Sequence, residues 1–439
     1  MRTVLASYAT VEIRVLAMAA LACVLFGGPA HAQVQSPGTS VASPADDSAA
    51  PTPAVATGPT GWNHWDNKAL TASFGFVPLL DVAAFYQSQS NIQQVGDQAT
   101  EVRFRADRLL LEGQLKFARP WHYLLAVNYD GIESTTPRQV EWLDVRVDIP
   151  VPILGKLKIG KQKVGVSQEW LMPGTNWVFM ERSAMNNAFL PQRNIGVLVT
   201  NSFAGTRGVW SAGWFNDWLA NGDSFSKNGN HYSARVSYLV VDREEESATT
   251  LNVAGAVYYR EAQNGNLHMR ARPEIYEADY FVDTGKFTGD HYLTKQFEVM
   301  AISGPFQAFG ELELTDVSAP QVGNPVFNGW YAGVSYFLTG EHRRFNREQG
   351  WFKGVAPRSP LNFGNGGIGS LEVAARYSSV NLTDAAVAGG QMSRWTAALS
   401  WCPTSAWRFE INYGYIVLDR YGTRGHANGV SSRFQLVFL

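Results

Sequence analysis

The chain has 439 residues and a formal net charge of −2, with 13% aromatic and 17% charged residues and 41 glycines. A slightly acidic chain has no bulk attraction for nucleic acid, and this mix fits many strands and turns rather than a compact helical protein. A globular chain of this length would divide into two or three domains, yet no second boundary appears along it.

The first segment reads as an export signal. Arg2 and Arg14 precede an apolar run from Val15 to Phe26, and Ala30-His31-Ala32 is an A-x-A cleavage site, which places cleavage after Ala32. Removing residues 1–32, with Arg2, Glu12 and Arg14, leaves a charge of about −3. Cys23 raises a lipoprotein alternative, disfavoured by Ala20 and by the apolar run that continues past it. Residues 33–60 are rich in Pro, Ala, Ser and Thr with almost nothing large to bury, so they form a flexible linker. The barrel domain takes residues 61–439.

No mature segment offers the ~18 consecutive apolar residues of a membrane helix. A membrane-spanning reading therefore requires a barrel. Beyond Trp62, segments of about ten residues alternate apolar and polar side chains between turns, the pattern of outer-membrane strands. In Trp407-Arg408-Phe409-Glu410-Ile411-Asn412-Tyr413-Gly414-Tyr415 the aromatics and Ile share one face, and Arg, Glu, Asn and Gly take the other. Leu371 to Tyr377, Trp395 to Trp401 and Trp121 to Tyr129 repeat it. Counting from Thr71 gives about sixteen strands, enough to enclose an aqueous lumen. The fold class is an all-β transmembrane antiparallel barrel.

Short connections at Ala118–Pro120, Pro150–Gly155, Phe203–Thr206, Asp242–Ser247, Ser303–Pro305 and Pro403–Ala406 alternate with long ones at Val166–Gln192, Glu261–Asp290 and Asp419–Gly429. Such alternation separates periplasmic turns from extracellular loops. Gly340 to Gly367 breaks it, being long where parity demands a short turn: either an elaborated periplasmic segment or a miscounted strand pair.

Val166–Gln192 is the third extracellular loop and is long enough to fold into the lumen and narrow it. Lys161, Lys163, Arg182 and Arg193 bracket it and are the expected constriction and anion-binding residues, since cations at a narrow, low-dielectric point focus the field on anions. Their bland reading is solvated rim charge. Parity adds a caution, because Leu157 and Ile159 should face lipid and would carry Lys161 and Lys163 with them, at a midplane cost of about 2–4 kcal/mol. A bulge at Gly160 or a strand end above the membrane resolves this. Arg103, Arg105 and Arg146 fall on expected lumen faces with Asp107, Asp144 and Asp148, a mixed-sign wall that mostly neutralises itself.

Phe337-Leu338-Thr339-Gly340-Glu341-His342-Arg343, followed by Gly367 to Ser378 with Leu371-Glu372-Val373-Ala374-Ala375-Arg376-Tyr377, resembles the phosphate-selective porin O and P family. Gly160 to Lys163, Glu181-Arg182, Arg193 to Gly196 and the hairpin from Trp401 to Tyr413 agree with it. The resemblance covers most of the chain from Thr71 and implies a homotrimeric, sixteen-stranded porin with an inward-folded third loop and an anion-preferring constriction. Leu439 after Phe438, and no long run of alternating arginines, depart from the family pattern.

The expected function is passive diffusion of small solutes, anions in preference, with outer-membrane lipid around the barrel and no cofactor, metal or nucleic acid. The alternatives are a plugged structural or adhesive barrel and an outer-membrane enzyme. The enzyme is disfavoured, because His122, His231, His268, His291, His342 and His426 lack metal or triad spacing and Gly364 to Gly367 lacks the lysine and helix of a phosphate cradle.

Overall fold

The computed structural model describes residues 63–129, 140–190, 193–216, 218, 228–364 and 366–438. The export signal (1–32) and the linker (33–60) lie outside the described residues. Sixteen strands form the wall: β1 (Thr71–Gln87), β2 (Glu101–Leu115), β3 (Trp121–Tyr129), β4 (Val140–Val151), β5 (Gly155–Gln162), β6 (Asn194–Phe203), β7 (Gly208–Phe215), β8 (His231–Arg243), β9 (Thr249–Glu261), β10 (His291–Ser303), β11 (Phe306–Ser318), β12 (Val326–Phe337), β13 (Ser370–Asp384), β14 (Val387–Thr404), β15 (Trp407–Arg420) and β16 (Thr423–Leu436). Each pairs antiparallel with the next, and β16 closes on β1 from Leu79–Gln435 to Gln87–Ala427. Phe438 extends the seam by exchanging backbone hydrogen bonds with Phe76 at 2.7 and 2.9 Å. Closure leaves no wall strand with a free edge, as a bilayer requires.

The expected alternation sets the two faces. Along β15, Trp407, Phe409, Ile411, Tyr413 and Tyr415 are exposed outward, while Arg408, Glu410 and Asn412 are buried inward. Six short connections lie at one rim, the periplasmic one by the usual asymmetry: 116–120, 152–154, 204–207, 244–248, 304–305 and 405–406; the other rim holds the long connections and two two-residue hairpins, 385–386 and 421–422. One expected long loop is corrected. Strand pairing continues through Asp419–Arg424 and Arg420–Thr423, so the connection between β15 and β16 is only Tyr421-Gly422. Both residues have positive φ, 55° and 71°, the signature of a type I′ hairpin turn. Polar residues on both faces of Thr423 to His426 disguised the start of β16.

The anomalous segment between β12 and β13 (338–369) lies on the short-turn rim and leaves the strand count at sixteen. It is an elaborated turn that folds back into the barrel, where it meets the third loop.

Candidate channel and constriction

The third loop (163–193) is pinned inside the lumen by wall carboxylates and arginines. Ser167 caps the short helix Gln168–Leu171 by accepting from the Trp170 amide at 3.0 Å. The Gln168 and Glu169 amides, unpaired at that helix start, donate to Glu298 on β10 (2.8 Å) and Glu311 on β11 (2.9 Å). The Glu169 carboxylate takes Arg376 of β13 at 2.8 Å and ties the loop to itself through Ser183 and Asn186. Glu181 then receives Arg105 of β2 at 2.9 Å and Arg433 of β16 at 2.8 Å.

Two other segments complete the filling. The connection 262–290 inserts Glu274, whose carboxylate receives Arg376 at 2.6 Å and the Ala184 amide at 3.0 Å. Phe179, Met185, Phe189, Ile275, Phe281, Phe309 and Phe327 form one buried cluster there, so this part of the lumen is packed core. From the opposite rim, Arg343 spans Glu372 of β13 (2.8 Å) and the carbonyl of Asn176 in the third loop (3.0 Å). Trp351 packs with Met172 and Trp177, Lys156 holds Glu348, and Lys158 reaches Gln349 at 3.0 Å.

The remaining space is a cavity of about 1230 Å³ beside β1 to β6, running from Asn128, Glu141 and Arg260 toward one rim to Pro120, Pro150 and Lys156 at the other. Eleven Lys and Arg side chains line it against seven carboxylates. The pairs Arg146–Asp144 and Arg146–Asp148 (both 3.0 Å) and Arg193–Asp144 (2.7 Å) cancel part of that charge. Arg108, Lys163, Arg182, Arg270 and Arg272 have no carboxylate partner among the described residues. Aromatic faces hold three of these five: Arg182 lies between Trp170 and Trp177, 4.2 and 4.0 Å from their centroids, Arg272 over Tyr276 and Tyr280, and Arg270 3.9 Å over Tyr280. Stacking fixes a guanidinium without neutralising it. Lys163 donates to the carbonyls of Leu171 (3.2 Å) and Met172 (2.8 Å). Burial pushes its ammonium well below the usual lysine value, and Arg182, Arg193 and Arg108 push the same way.

The structure places the expected residues unequally. Lys163, Arg182, Arg193, Arg105 and Arg146 line the channel. Lys161 does not: it lies opposite Val145 and Ile195 and shares the outer face with Ile159. Gly160 has φ +127° but no register slip, so the pleat carries Lys161 outward, one residue from the strand end. Arg103 takes the lumen face, in register with the buried Asp81, but it is 46% exposed, pairs with Glu101 at 3.7 Å near the strand start, and does not line this cavity.

Arg108, Trp170, Trp177, Arg270, Arg272, Tyr276 and Tyr280 were not singled out from the sequence. A bulge in β2 hid Arg108: the register slips between Leu79–Ala106 and Leu80–Phe104, leaving Arg105 unpaired and aimed at Glu181. After the slip Arg108 lines the channel and Asp107 does not. No sequence signal brings the aromatics of two loops to those arginines.

A closed sixteen-stranded barrel narrowed by inward-folded segments defines a porin-type channel. The chain belongs to the phosphate-selective porin O and P family, whose model matches residues 80–438. It is an outer-membrane porin, a channel-forming barrel. An anion-selective porin from Comamonas acidovorans has the same fold (TM-score 0.53, 12% identity, 84% of this chain and 100% of that one), as does the outer membrane channel DcaP of Acinetobacter baumannii (0.53, 10%, 85% and 99%). An uncharacterized protein of Caulobacter vibrioides is 28% identical over 281 residues, 62% of this chain; the chain spans 55% of that relative's length.

Proposed function

We propose that this porin passes small anions in preference to cations, exported by a signal cleaved after Ala32 and assembled as a homotrimer. The observation that carries the anion preference is the surplus of eleven cationic over seven anionic side chains along the lumen cavity, in a mature chain that is acidic overall. A cation a few ångströms from a permeating anion contributes about 1–4 kcal/mol between bulk water and a partly buried site, enough to bias passage several-fold. The anion-selective porin from Comamonas acidovorans and the trimer form of OmpT from Vibrio cholerae share the fold and support the reading. A reversal potential under a KCl gradient tests it: the expected sign favours chloride, and a sign favouring potassium rejects it. Intact mass of the purified protein tests the start at Gln33, and mass in mild detergent tests the trimer.

A further inference from the structure

The channel wall is apolar where a water-filled pore calls for polar residues. Val77, Leu110, Leu124, Ala126 and Leu143 all line the cavity. Leu110 lies opposite Ala126 and packs against the cluster that holds Val77, and Leu124 lies two residues before Ala126 on the same face, with Glu112 and Arg146 as its cross-strand neighbours. Lipid does not account for them: the pleat turns Leu109 and Leu125, 51% and 37% exposed, outward, and Leu110, Leu124 and Ala126 alternate with them onto the lumen face. Wetting such a wall is unfavourable in proportion to its area, and an apolar solute lying on it removes that cost.

Unneutralised cations border the patch. Arg108 precedes Leu110 by two residues on the same face, about 6.6 Å along the strand. Its Nη1 lies 3.3 Å from where a Cβ at Gly174 would sit, against the bend of the third loop. Lys163 and Arg182 reach the same cavity from that loop.

We infer that the channel selects organic carboxylates with an apolar body, the carboxylate meeting Arg108 and the body lying on the Leu110–Leu124 wall. The inference rests on the anion preference proposed above and names its solute class. Phosphate is a poorer fit here: all its oxygens need donors or water, and the leucine wall supplies none. A benzoate-sized anion spans the distance from Arg108 to Leu110 and presents charge only at one end.

The test is block of chloride current across planar bilayers by sodium benzoate, acetate and phosphate. Benzoate should half-block at a concentration roughly tenfold lower than acetate, a ratio that one or two buried ring-wall contacts produce. Leu110→Asn and Leu124→Asn should each bring the benzoate-to-acetate ratio toward one, whereas Arg108→Ala should raise both half-blocking concentrations together. Comparing ratios within each variant separates lost selectivity from a misfolded barrel, which gives no current. Equal block by benzoate and acetate, stronger block by phosphate, or an unchanged ratio in both leucine variants overturns the inference. A wild-type current that prefers potassium overturns the anion reading instead.

Discussion

Arg376 on β13 donates to the Glu169 carboxylate at 2.8 Å, with the arginine 1% and the glutamate 13% exposed. The same guanidinium holds Glu274 at 2.6 Å, so one wall residue fastens both inward-folded loops. A buried ion pair is weak evidence of net stability, but removing one partner strands the other charge at about 3–5 kcal/mol. Arg376→Ala should therefore lower the temperature at which the barrel converts on heat-modifiability gels and make single-channel currents noisy. Adding Glu169→Gln and Glu274→Gln should restore part of the loss; a wild-type transition in Arg376→Ala would show the loops are held elsewhere.

Selectivity should follow the unneutralised cations. Arg108→Ala and Arg182→Ala should each reduce chloride preference several-fold, within the ~1–4 kcal/mol available to one nearby charge, and Lys163→Ala should reduce it less, because burial and three arginines disfavour its charged form. Lys161→Ala and Arg103→Ala, outside the channel lining, should leave the reversal potential unchanged.

The inward turn 338–369 should act as one wall of the constriction. Trp351→Ala removes its packing on Met172 and Trp177, at a cost near 3 kcal/mol, the low end for a buried tryptophan. Single-channel conductance should rise; an unchanged value would place the narrowest point away from this contact.

Glu277, on the inserted loop 262–290 and outside the cavity lining, should make the packing of that loop depend on pH. Burial first, then the charges of Asp81 and Glu181, push its carboxyl up to about 7. Because the folded value lies above the ordinary 4.5, its stabilising share is complete below pH 4.5 and is lost as pH rises through about 7. The barrel should therefore convert at a higher temperature on heat-modifiability gels at pH 5.5 than at pH 8. Glu277→Gln should flatten that difference.

The sequence alone determined the wall. Alternating side chains from Thr71 onward, sixteen strands and the side on which each connection lies were legible because a bilayer forces every strand to present lipid on one face. The Thr339-to-Arg343 and Glu372-to-Arg376 motifs were legible as family marks, but their purpose was not: Arg343 and Arg376 anchor the inserted turn and the inserted loops. Only the tertiary structure decided which cations matter. The β2 bulge moved the lumen face onto Arg108, the unbroken pleat of β5 sent Lys161 outward, and two loops brought aromatic faces to Arg182, Arg270 and Arg272. A period-two pattern specifies which face a residue takes only while the register holds, and it carries no information on where a loop closes inside a barrel.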